Sequence, residues 1–72
     1  MVRIFFTKHA KLRLVERGIK ENTVRAILEN PDFIYQTYDN KFACNKKIRG
    51  KAIEIVCMKS TNKFLVITAY YV

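Results

Sequence analysis

Lys51-Ala52-Ile53-Glu54-Ile55-Val56-Cys57-Met58-Lys59-Ser60-Thr61-Asn62-Lys63-Phe64-Leu65-Val66-Ile67-Thr68-Ala69-Tyr70-Tyr71 decides the fold. β-branched and aromatic side chains dominate both flanks, and Ser60-Thr61-Asn62 interrupts them with turn formers. The spacing predicts two strands, over residues 51–59 and 63–71, and as the most apolar pair they belong at the centre of a sheet. Working back toward the N-terminus, Arg49-Gly50 is a turn signal before a strand at 41–47, and Asp39-Asn40 is another before a strand at 33–38. Four successive strands joined by short turns predict an antiparallel meander.

Upstream the pattern changes. Residues 2–6 form a short β-type run. Thr7 is a good helix N-cap because its hydroxyl can accept from the free N–H groups of the first turn. A helix follows over residues 8–17, and Gly18 supplies the left-handed stop, with Ile19 the apolar residue after it. A second helix covers 21–29, with Val24, Ile27 and Leu28 as its stripe and Glu21 favourable in its first turn. Asn30-Pro31-Asp32 closes it, since proline disfavours helix in the residue before it. The expectation is one α+β domain over residues 1–72: a short N-terminal strand, two helices, then a four-stranded antiparallel meander with the helices on one face. The other face would be open, a natural binding surface.

Seventy-two residues and a half-apolar composition allow one small core, so a site belongs on a surface or groove. Fourteen Lys and Arg against six Asp and Glu leave a net charge of +8, which favours polyanionic partners. Cys44 and Cys57 fall in different strands, not directly opposite each other, and read as reduced thiols of a cytoplasmic protein. No segment has the length of a membrane span, and the N-terminus lacks the pattern of a signal peptide.

The chemistry-bearing residues gather on the first helix. At about 100° per residue, Glu16, His9, Arg13 and Arg17 lie in that order across one arc, edged by Ala10 and Leu14 on one side and Leu12 and Val15 on the other. A neutral imidazole at His9 is the form that can take a proton, such as that of a ribose 2′-hydroxyl. Arg13 and Arg17 suit phosphate oxygens and the added charge of a transition state. Glu16 either orients His9, acts as base itself, or pairs with an arginine. The same four residues also fit a solvated, ion-paired helix face.

In the strands, Lys41, Lys46, Lys47, Arg49 and Lys51 form an acid-free basic stretch around the predicted hairpin. It reads as a phosphate track or as lysines that protect a sheet edge. Tyr35, Tyr38, Phe42, Tyr70 and Tyr71 could stack on unpaired bases or simply pack. Thr68 and Tyr70 share one face of the last strand, opposite Leu65, Ile67 and Ala69. With those three toward the helices, the Tyr70 hydroxyl faces the open side, able to reach a phosphate. Glu54 is either an exposed strand residue or an ion-pair partner of the basic stretch. No His, Cys or carboxylate cluster has metal-site spacing, and two glycines cannot make a phosphate loop. An enzyme of this sequence would use neither metal nor cofactor.

Thr7-Lys8-His9-Ala10, Arg13, Glu16-Arg17-Gly18-Ile19, Asn30-Pro31 and the tail Val66-Ile67-Thr68-Ala69-Tyr70-Tyr71 together resemble a small prokaryotic family, domain of unknown function 4258. Lys20 departs from its pattern, standing where a capping Ser or Asp is expected. The resemblance implies a compact domain similar to the barnase–EndoU–colicin–RelE group, like RelE- and BrnT-type toxins that cleave RNA without metal and are masked by an antitoxin. By position it carries His9, Arg13 and Arg17 over as polar helix residues and Thr68 and Tyr70 as strand residues. The expected activity is metal-independent cleavage of RNA by 2′-hydroxyl attack. His9 would be the base, Arg13 and Arg17 the clamp, Tyr70 an auxiliary or acid, and Lys46, Lys47, Arg49 and Thr68 would hold substrate. An acidic antitoxin is the expected protein partner, a homodimer stays open, and no membrane is expected. The rival expectation is a non-catalytic module that binds nucleic acid or an acidic protein through the same face.

Overall fold

The computed structural model describes residues 3–72. In chain order it has β1 (Arg3–Phe6), α1 (Lys8–Arg17), α2 (Glu21–Glu29), β2 (Phe33–Gln36), β3 (Lys41–Ile48), β4 (Lys51–Ser60) and β5 (Lys63–Tyr71). The α+β class and the two helices are as the sequence indicates; Val2, assigned to the first strand, lies outside the described residues. No helix among the described residues is long and apolar enough to cross a membrane.

The sheet corrects the expectation of a four-stranded antiparallel meander. It has five strands in the order β1-β5-β4-β3-β2, and it is mixed, because β1 runs parallel to β5 with Arg3 opposite Lys63 and Phe6 opposite Val66. Without β1 that stretch of β5 would present an apolar edge with unpaired backbone groups. β1 satisfies it, and Ile4 and Phe6 pack against the core from there.

Local chemistry sets the ends of the elements. Thr7 Oγ1 accepts from the Ala10 N–H at 3.0 Å, capping α1. Gly18, at φ 67, ends it: the Gly18 N–H reaches the Val15 carbonyl and the Ile19 N–H the Leu14 carbonyl. This paired stop needs a left-handed residue and buries the apolar residue after it, here Ile19. Asp39 and Asn40 have φ of 58 and 61, and Arg49 and Gly50 have φ of 51 and 82. Both pairs make tight reversals whose twist matches that of the strands.

One buried cluster joins Ala10 and Leu14 of α1, Val24 and Ile27 of α2, and Ile53, Ile55, Cys57, Val66 and Ala69 of the sheet. Cys44, Ile55 and Ala69 lie side by side across three strands, so these residues share a face. Both thiols are free and buried. Burial, then the neighbouring Cys44, pushes the Cys57 thiol up to about 12, so it stays protonated.

The alternation in β5 is broken once. Val56 pairs with Thr68 but Cys57 pairs with Val66, leaving Ile67 as an extra residue. This bulge inverts the parity of the strand. Ala69 keeps the expected face, but Val66 is the buried core residue and Leu65, opposite Met58, lies on the Glu54 face. The placement of Leu65 toward the helices is thereby corrected.

Candidate functional site

Helix α1 is fastened to β5 at both ends. The Thr7 N–H donates to the Val66 carbonyl at 3.2 Å, and Arg17 Nη1 donates to the Ala69 carbonyl at 2.7 Å. Ala69 lies between Thr68 and Tyr70, so Arg17 comes to the backbone of the strand that bears both, but their side chains take the Glu54 face, opposite Ala69 and the core cluster that includes α1. His9 is exposed in the first turn of the same helix. Arg13 Nη1 donates to Glu16 Oε1 at 2.6 Å, so of the roles open to Glu16 the structure has it pairing with an arginine. A guanidinium has five N–H donors, and a contact through one nitrogen leaves others for a phosphate. The Arg13–Glu16 pair is solvent-exposed, and such pairs are weak enough to exchange for a stronger anion.

The Glu54 face of the sheet holds a second polar centre. Phe33, Asn45, Glu54 and Tyr70 form one row across β2, β3, β4 and β5. Glu54 is only 9% exposed. Its Oε1 accepts from the Tyr35 hydroxyl and, at 3.4 Å, from Asn45 Nδ2, and its Oε2 accepts from the Tyr70 hydroxyl at 2.5 Å. Burial pushes this carboxyl up, but the hydrogen bonds from Tyr35, Tyr70 and Asn45 together hold it below the ordinary glutamate value. Glu54 is therefore an ionised, hydrogen-bonded carboxylate, neither an exposed strand residue nor an ion-pair partner. The hydrogen bond to Glu54, then burial and the carboxylate charge, raise the Tyr70 phenol to about 12, and the Tyr35 phenol rises for the same reasons. Both tyrosines stay protonated at neutral pH.

This network makes a testable contribution to stability. A carboxyl held low in the folded state stabilises above its unfolded value, 4.5 for Glu54, and the benefit fades as pH falls through the folded value. Glu54→Gln should cost about 1–3 kcal/mol at neutral pH, the range for disturbing hydrogen bonds to a charged group. Urea unfolding of both proteins across the acid range should show that difference shrinking below the unfolded value. An equal difference at neutral and strongly acidic pH would refute the account.

The basic stretch is divided among three places. Lys46 Nζ donates to the Asn30 carbonyl at 2.9 Å and to Asp32 Oδ1 at 3.4 Å, so this lysine holds the loop between α2 and β2. The Lys47 backbone N–H donates to Asp32 Oδ2 at 3.1 Å, which, together with Lys46, holds the Asp32 carboxyl below its usual range against its partial desolvation. The Lys47 side chain is exposed on the Glu54 face, paired with Ala52. Arg49 and Lys51 instead border a groove beside Lys20. Of the aromatic candidates, Phe42 packs edge-on against Phe64 at 5.3 Å beside the core, whereas Tyr38 is exposed in its turn. Among the described residues no group of three His, Cys, Asp or Glu comes together to hold a metal ion.

A family model described as Domain of unknown function (DUF4258) matches residues 6–71. The chain belongs to the DUF4258 family. Neither the curated proteins nor the solved structures contain a match to it. The matched span of this DUF4258 chain includes both helices, the complete row from Phe33 to Tyr70 and the cap at Thr7.

Sequence reasoning about this DUF4258 chain missed Glu54, Tyr35 and Asn45 as a unit, and Lys20 as a groove residue. A usable signal existed for Glu54: it is the one acid in the apolar run 52–58. Its partners come from three other strands, and no local pattern reveals them.

Proposed function

We propose that this DUF4258 chain is a metal-independent endoribonuclease of toxin type. The observation behind the reading is the Arg17–Ala69 hydrogen bond, which secures the helix of His9, Arg13 and Arg17 to the strand of Thr68 and Tyr70. In this scheme His9 takes the proton of a 2′-hydroxyl and the 2′-oxygen attacks the adjacent phosphorus. The bond to the 5′-oxygen breaks, and that oxygen takes up a proton from water while the His9 imidazolium returns its proton to solvent, leaving a 2′,3′-cyclic phosphate and a 5′-hydroxyl. Arg13 and Arg17 stabilise the added negative charge. Tyr70 keeps its proton, held by Glu54 on the sheet face opposite Ile55 and Ala69, and so stands apart from the α1 residues in this scheme. The reading includes a RelE/barnase-like arrangement with both helices on the Ile53–Ile55 face, which their shared core cluster supports. It also includes a cytoplasmic setting and an acidic antitoxin as partner, in keeping with the +8 charge.

Purified protein incubated with RNA in excess chelator tests this. Cleavage that disappears in His9→Ala and Arg13→Ala upholds it; no cleavage, or cleavage unchanged in both variants, rejects it. One observation favours a second reading, a non-catalytic RNA-binding module: Arg13 already pairs with Glu16, and the Tyr70 proton already belongs to Glu54. Salt-sensitive RNA binding without cleavage would select that reading.

A further inference from the structure

A second cationic region lies where the connection between the helices meets the β3–β4 turn. Lys20, Arg49 and Lys51 border a groove of about 470 Å³ that Ile19, Ile48 and Tyr71 also line. No carboxylate lines it among the described residues. The volume falls within the roughly 300–1,000 Å³ typical of small-ligand sites.

Among the described residues none of these three charges pairs with a carboxylate. Lys20 occupies the N-cap position of α2 without a side-chain capping hydrogen bond. Arg49 sits in the turn at φ 51, a conformation that arginine rarely adopts. The Lys51 ammonium stands over the Tyr71 ring, 5.4 Å from its centroid, and both residues line the groove. The neighbouring carboxylate of Glu21 extends along α2 toward Arg25, 4.0 Å away. Three like charges around one depression repel one another, and an anion placed among them relieves that repulsion. The apolar lining residues and the exposed phenol ring of Tyr71 suit a planar base next to that anion.

We infer that this groove binds a phosphodiester of single-stranded RNA together with its adjoining base. The inference rests on the RNA reading above and extends it. Gly18, which also lines the groove, directly follows Arg17, so a strand crossing the α1 site continues into it.

The test is anisotropy of a labelled oligouridylate across a potassium chloride series. The combined variant Lys20→Ser, Arg49→Asn and Lys51→Ala removes the charges without opposing the fold. Serine supplies the missing cap and asparagine tolerates a left-handed φ. Lys59→Ser, on an exposed part of β4, is the control. The combined variant should bind more weakly, and its log–log salt slope should fall by roughly 0.7 per lost phosphate contact, about 2 for three. Lys20→Ser alone should raise the melting temperature while weakening binding, a combination that lost packing does not produce. Wild-type affinity and slope in the combined variant would overturn the groove even if RNA cleavage is observed. Weakened, flattened binding with no cleavage by the wild type would uphold the groove and reject the ribonuclease. Uridine 3′-monophosphate binding as tightly as the oligomer would overturn an RNA strand as the source of the phosphate, as would no binding of the oligomer by the wild type.

Discussion

His9→Ala is expected to slow RNA cleavage in excess chelator by roughly 10²–10⁴-fold, the contribution of one positioned acid–base group. The same substitution should leave stability within about 0.5 kcal/mol of wild type, as for surface changes away from special features. His9 is exposed on α1, and the core residues of that helix are Ala10 and Leu14. Single-turnover rates and thermal unfolding, measured on the same preparations, separate the two effects. A parallel drop in rate and melting temperature would identify His9 as a structural residue. An unchanged rate with an unchanged melting temperature would remove it from the chemistry.

Ile55→Ala is expected to do the opposite, damaging the fold first. Ile55 is fully buried between Cys44 and Ala69 in the middle of the sheet. Removing its outer carbons leaves a cavity that the flanking strands cannot close, at a cost of roughly 2–5 kcal/mol. For a domain of 72 residues the whole stability is on the order of 4–11 kcal/mol. Each kcal/mol lost lowers the melting temperature by roughly 4–8 °C at this size. Val15→Ala is the matched control, since Val15 is 80% exposed. A loss below about 1 kcal/mol for Ile55→Ala would contradict the close packing of the central strands.

What the sequence revealed was set by local chemistry. Thr7 and Gly18 bounded α1 because a hydroxyl and a left-handed glycine act within one helical turn of their own position. Asp39-Asn40 and Arg49-Gly50 marked the hairpins because the backbone conformation of a tight reversal is chosen by its two central residues. The partner of β1 was not legible. Residues 3–6 meet residues 63–66 across most of the chain, and a short apolar run does not state which edge it will join. The bulge at Ile67 was equally hidden. Leu65, Val66 and Ile67 are all apolar, so a slip of one position leaves no trace in the hydrophobic pattern. At the candidate site the residue types on α1 were readable but their partners were not. Glu16 chose Arg13, and Arg17 found a carbonyl on a strand that its own helix does not specify. Glu54 was the least legible, because its charge is tolerated through hydrogen bonds contributed by β2, β3 and β5.

The position of β5 between β1 and β4 also orders events during synthesis. While residues 63–71 are still inside the ribosomal tunnel, β1 has no neighbour to zip against and α1 lacks the strand to which its two ends are tied. α1 and the strand that carries its two carbonyl partners stay apart until β5 arrives. Ribosomes stalled short of that segment would carry a nascent polypeptide in which this junction has not yet been assembled.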